Sequence, residues 1–145
     1  MSEVFLTVLS GVSVFVMGQL IMRFYIEPVI EFKKSIGRVV HFFLTNRSKI
    51  TNTNASFEQQ AELQCLGGEI LAFKQAIPHY CKFRWFFSLP EEESVLEACQ
   101  IINEISYNMV KDTSLEKDVV KNCIQNGSAI SKLEEKLGVK LDFTR

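Results

Sequence analysis

Val4-FLTVLSGVSVFVMGQLI-Met22 is the stretch that decides the architecture: nineteen consecutive residues without one charged side chain. At about 1.5 Å of rise per helical residue it reaches about 28 Å, close to the roughly 30 Å hydrocarbon core of a bilayer. Basic residues begin at once on its carboxyl side, with Arg23. The pattern reads as a membrane-spanning helix. The competing reading is a buried helix of a soluble core, and Ser10, Gly11, Ser13, Gly18 and Gln19 make the stretch less apolar than many anchors.

A secretory signal needs a basic start, a shorter apolar run and a small-residue cleavage site. Here the start is Met1-Ser2-Glu3, and the run passes into Arg23-Phe24-Tyr25-Ile26-Glu27-Pro28 with no A-x-A-like site. An uncleaved anchor over residues 1–26 is therefore predicted. The positive-inside rule puts Arg23 in the cytoplasm and the short amino-terminal tail outside. Arg23 can snorkel toward headgroups, and Tyr25 is placed as an interfacial aromatic. Within the span, Thr7, Gly11 and Gly18 fall near one helical face. Such small-residue faces let helices approach closely in lipid, and Gln19 can add an interhelical hydrogen bond.

Charge is divided along the chain. From Arg23 to Ile50 six basic residues face two acidic ones, a balance of +4; from Thr51 to Arg145 ten basic face fourteen acidic, a balance of −4. A basic neck beside a span, followed by an acidic body, suits a membrane-proximal protein and not a nucleic-acid binder. The neck, residues 27–44, has apolar positions at Ile26, Val29, Ile30, Ile36, Val39, Val40 and Phe43 in steps of three and four, with Lys33 in the same stripe. That is an amphipathic helix, either lying on anionic lipid or packed on the helices that follow. Lys33, Lys34 and Arg38 are its candidate membrane-surface contacts. Pro28 either kinks a helix continuing from the span or opens a new one.

The run Gly18-Gln19-Leu20-Ile21, then Phe24-Tyr25-Ile26-Glu27-Pro28-Val29-Ile30-Glu31-Phe32-Lys33-Lys34-Ser35-Ile36-Gly37, resembles small bacterial single-pass membrane proteins of unassigned function. The likeness covers about twenty residues. It implies a bacterial inner-membrane origin and carries no activity with it.

Residues 45–56 are rich in Asn, Ser and Thr and read as a polar loop. Ser56 and Gln59 then form a capping-box pattern, opening a helix with Leu63, Leu66, Ile70, Phe73, Ile77 and Tyr80 as its core face. Gly67-Gly68 in its middle permits a close helix crossing. Pro90 opens another helix, Glu91, Glu92 and Glu93 favouring its positive end, with Val95, Cys99, Ile102, Ile105 or Ser106, and Met109 facing inward. Thr113 and Glu116 form a second capping box before a helix lined by Leu115, Val119, Cys123 and Ile124. That helix is expected to end near Asn126-Gly127. A last short helix holds Ile130, Leu133 and Leu137, stopped by Gly138, with a possible extended tail over residues 139–143. The expected fold is all-α: an N-terminal transmembrane helix, an amphipathic neck, and a small antiparallel helical bundle over residues 57–145.

His79-Tyr80-Cys81-Lys82-Phe83-Arg84-Trp85-Phe86-Phe87 places five aromatic and two basic residues in nine positions, with His79 beside them. The segment reads as core aromatics at a bundle end, as membrane contact through Trp85 and Phe86, or as a partner-docking patch. Base stacking is disfavoured by the low net positive charge. Cys65, Cys81, Cys99 and Cys123 have no C-x-x-C spacing and read as buried thiols in a reducing compartment. His41 and His79 lack the partners a zinc site needs. No nucleotide loop, nucleophile elbow or paired catalytic carboxylate is recognisable. The expectation is a non-enzymatic inner-membrane protein without metal or cofactor, whose cytoplasmic body binds a protein partner or itself, its partners being lipid and protein with no nucleic acid and no small-molecule substrate. The alternative is an oligomerising, membrane-permeabilising effector. A soluble enzyme with a greasy first helix is a third reading.

Overall fold

The computed structural model describes residues 2–110 and 116–141, without side-chain detail at Ser2 and residues 116–119. The described residues are helical, with no strand; one isolated bridge joins Ala55 to Val110. In chain order the helices are α1 (Ser2–Ile21), α2 (Glu27–Thr51), α3 (Phe57–Ala76), α4 (Tyr80–Phe87), α5 (Glu92–Asn108) and α6 (Glu116–Leu137). The capping box expected at Thr113 and Glu116, the linings Leu115 and Val119, and the end of the 139–143 tail lie outside the described residues or side chains.

Helices α1 and α2 are one continuous helix joined by a π-helical turn, Met22–Ile26. Pro28 explains the widened turn. It has no N–H to give the carbonyl four residues back, and its ring crowds that carbonyl. Opening the preceding turn, so that Glu27 N–H donates to the Met22 oxygen, absorbs the defect without ending the helix.

The neck does not stop at residue 44; α2 runs on to Thr51, and only residues 52–56 form the connection. Two facts account for the seven extra helical residues. Ile50 is fully buried and Arg47 donates to the Leu141 carbonyl at 2.8 Å, so tertiary contacts reward the last turns. The end is then closed by the Asn54 N–H on the Lys49 carbonyl and the Thr53 N–H on the Ile50 carbonyl. This is a Schellman motif with a threonine, at φ 48°, where glycine is usual. The buried stripe of α2 is Val29, Phe32, Ser35, Ile36, Val39, Phe42, Phe43 and Ile50. Ile30 and Lys33, expected inward, are exposed.

Helix α3 opens with the expected capping box, both halves formed between Ser56 and Gln59. Gly67 is buried where a Cβ would stand 3.0 Å from Ile102 Cγ2, so α3 and α5 touch through a position only glycine fills without displacement. Gly68 meets nothing. Around this crossing Leu63, Ile70, Ile77, Val95, Ala98, Ile102, Ile105 and Met109 are buried, while Cys99 is half-buried. No described cysteine is fully buried: Cys65 and Cys81 are exposed, off the core stripes, and all four thiols are free.

The break expected at Asn126-Gly127 is absent, since α6 runs through both residues. Asn126 is buried and its amide donates to the Ile50 carbonyl at 2.9 Å, satisfying an end group of α2. That contact outweighs the roughly 1 kcal/mol helical penalty of Gly127. Ile124 is exposed, contrary to expectation, whereas Ile130, Leu133 and Leu137 are buried and Gly138, at φ 64°, ends the helix as expected.

Candidate membrane-facing surface

Every described side chain of α1 is exposed, including Phe5, Leu9, Val12, Phe15, Val16 and Leu20. Among the described residues none covers this apolar surface, about 30 Å long. One N-terminal helix is thus long and apolar enough to cross a membrane. Three of its hydroxyls are closed on its own backbone: Thr7 donates to the Glu3 carbonyl, Ser10 to that of Thr7, and Ser13 to that of Leu9, all within 2.9 Å. Closure of this kind removes most of the cost of placing a hydroxyl in hydrocarbon. Gly11 and Gly18 have open space where a side chain would be, on the face that also holds Thr7. Gln19 lies at its edge, exposed.

Arg23 is exposed and Tyr25 half-buried, both in the π turn that follows the apolar run. Tyr25 packs on Phe83 of α4, with ring centroids 4.9 Å apart. Helix α4 was not anticipated as a separate element. Its register divides the aromatic segment in two. Tyr80 is buried, edge-on to Phe32 at 6.0 Å, and its hydroxyl donates to the Pro90 carbonyl at 2.8 Å. Phe83 and Phe87 are half-buried beside it. Burial pushes the Tyr80 phenol up to about 12. Trp85 lies on the opposite face, 88% exposed, and Phe86 on the flank, 73% exposed and edge-on to Phe87 at 5.0 Å. Tyr80 is thus core and Phe87 packs against the core, Phe83 lies between Tyr25 and Phe87 outside it, and Trp85 and Phe86 are exposed.

The neck cations are distributed differently. Lys34 pairs with Glu31 at 2.8 Å. Arg38 pairs with Glu69 of α3 at 2.8 Å and lies over the Phe73 ring, which ties it to the body. Lys33 stands at an open groove of about 380 Å³ with Gly37, Leu89 and Val139. Counted along the helix from Met22, Lys33 is about 16 Å away and Arg38 about 24 Å, whereas Tyr25 is about 4 Å away. The structure places Arg23 and Tyr25 just past the end of α1, brings α4 to that turn through Phe83, and leaves Lys33, Lys34 and Arg38 further along.

Beneath α4, Glu92 accepts from Lys74 and from the Cys81 thiol, the latter at 3.3 Å. The lysine holds the Glu92 carboxyl below the usual carboxylate range, and the carboxylate in turn pushes the Cys81 thiol up. A raised thiol is a poorer nucleophile. His79 is exposed at φ 52° and His41 is exposed on α2. Among the described residues no group of three or more His, Cys, Asp or Glu is placed to hold a metal ion.

No family model, curated protein or solved structure matches this chain.

Proposed function

We propose that the protein is a single-pass, non-enzymatic protein of the bacterial inner membrane. Helix α1 is the span, with the amino terminus outside and the helical body in the cytoplasm, where it docks a protein partner or a second copy of itself. The observation that carries this reading is the apolar surface of α1, left exposed by the described residues of the chain. In water that surface would cost about 25 cal/mol for each Å². Arg23 directly after the run supports the orientation.

The body is an antiparallel bundle on this stalk. Its pairings support that layout: Phe32 meets Tyr80, Arg38 meets Glu69, and Asn46 meets Gln59, so one number falls as the other rises. Along α3 and α5, Gly67 meets Ile102 and Lys74 meets Glu92 in the same sense. Self-association runs through Thr7, Gly11, Gly18 and Gln19, the face with open space at both glycines. An acidic body argues against nucleic acid as partner.

Carbonate washing of membranes, combined with a reporter fused at the carboxyl end, tests the reading. The chain is expected to stay with the vesicles and the reporter to be active only in the cytoplasm. Release by carbonate, or a periplasmic reporter, overturns it.

A further inference from the structure

We propose that α4 is a second membrane contact, seating Trp85 and Phe86 in the headgroup layer of the bilayer that α1 crosses. This rests on α1 being the span. Depth follows from the helix itself. If Met22 ends the hydrocarbon run, Tyr25 lies about 4 Å beyond it, inside a headgroup layer about 5–7 Å thick. Phe83 touches Tyr25, which brings the middle of α4 to that level, while Tyr80 at its start reaches Phe32, about 10 Å further along the long helix.

The faces of α4 then do the rest. At 100° per residue, Tyr80, Phe83 and Phe87 share the face toward the body, Cys81, Lys82 and Trp85 lie on the opposite face, and Phe86 stands exposed on the flank beside Phe87. The outward face is exposed, and the uncovered Met22 and Phe24 of the stalk continue the apolar surface at the same end of the molecule. An exposed indole and phenyl flanking a lysine match the chemistry of a membrane interface, where aromatic rings settle and a long basic stem reaches for phosphate. Arg84, on the flank, is paired with Glu91 at 2.6 Å, so the contact is mainly apolar and not a charge trap.

Trp85 is the only tryptophan in the chain, so its emission reports this face alone. The full chain is reconstituted in phosphatidylcholine vesicles whose acyl chains carry bromine, a contact quencher, near the headgroup or near the chain end. Blue-shifted emission is expected, with a larger loss from the headgroup-proximal bromine than from the deep one. Emission typical of indole in water, quenched by aqueous iodide and untouched by bromine, overturns the proposal while carbonate-resistant insertion leaves the span standing. Blue-shifted emission indifferent to bromine places Trp85 against a second copy and overturns it equally. A chain stripped by carbonate removes both readings together.

Discussion

The two halves of the long helix, α1 and α2, have the same backbone and opposite relations to the rest of the molecule. In α1 no described side chain is covered; in α2 eight are buried, among them Phe32, Val39, Phe43 and Ile50 at 0% exposure. The difference lies in composition around the helix, not in helix propensity. Residues 4–22 are apolar on every side, so no single face can be turned inward to satisfy them. Residues 27–51 carry apolar side chains on one side and Lys33, Lys34, Arg38, His41 and Lys49 elsewhere, so burial of one stripe suffices. A helix is a shape, and the solvent it demands is set by its circumference.

The sharpest way to break this comparison is one truncation in each half. Phe43→Ala is expected to lower the stability of the body by about 3–5 kcal/mol, the cost of emptying a filled aromatic site. Phe15→Ala on α1 should leave the same transition within about 0.5 kcal/mol. Urea unfolding of the detergent-solubilised chain, followed by circular dichroism, reads both; equal losses would mean that α1 packs on the body.

The glycines give a second, smaller contrast. Gly67→Val drives a side chain into Ile102 and is expected to cost about 1–3 kcal/mol. Gly11→Leu with Gly18→Leu meets open space and should leave body stability unchanged while reducing crosslinked dimers in native membranes. Undiminished crosslinking would remove the association face from α1.

The smallest effect is electrostatic. Glu92 is held below the ordinary carboxylate range by Lys74, so its contribution is present above that range and lost as pH falls through the folded value. Between about pH 6 and about pH 3, Glu92→Gln should therefore lose less melting temperature than the parent chain. Parallel acid melts of the two proteins check this, and identical slopes would show that the Lys74 contact adds nothing.

Much of this layout was legible in the residues, and the failures share a cause. Ser56 with Gln59 announced the start of α3, and Gly138 announced the end of α6, because each signal is carried by side chains next to the boundary itself. The end of α2 was hidden because Thr53 occupies a left-handed position that glycine ordinarily marks. Its stability comes from partners far away in the chain, Leu141 and Asn126. The unbroken course of α6 through Gly127 was hidden for the same reason. Within the candidate surface, Trp85 and Phe86 were named as contacts from composition. Their separation from Tyr80, Phe83 and Phe87 needed the register of α4, which an eight-residue helix is too short to show as periodicity.

The π turn at Met22–Ile26 sets more than continuity. One residue more in the ring than an α turn advances everything downstream by about 100° around the axis. The turn thus acts as an indexing collar that decides which flank of the body lies under which face of α1. Taking out one residue there would swing the helical body around its support while leaving the interior of each half as it was.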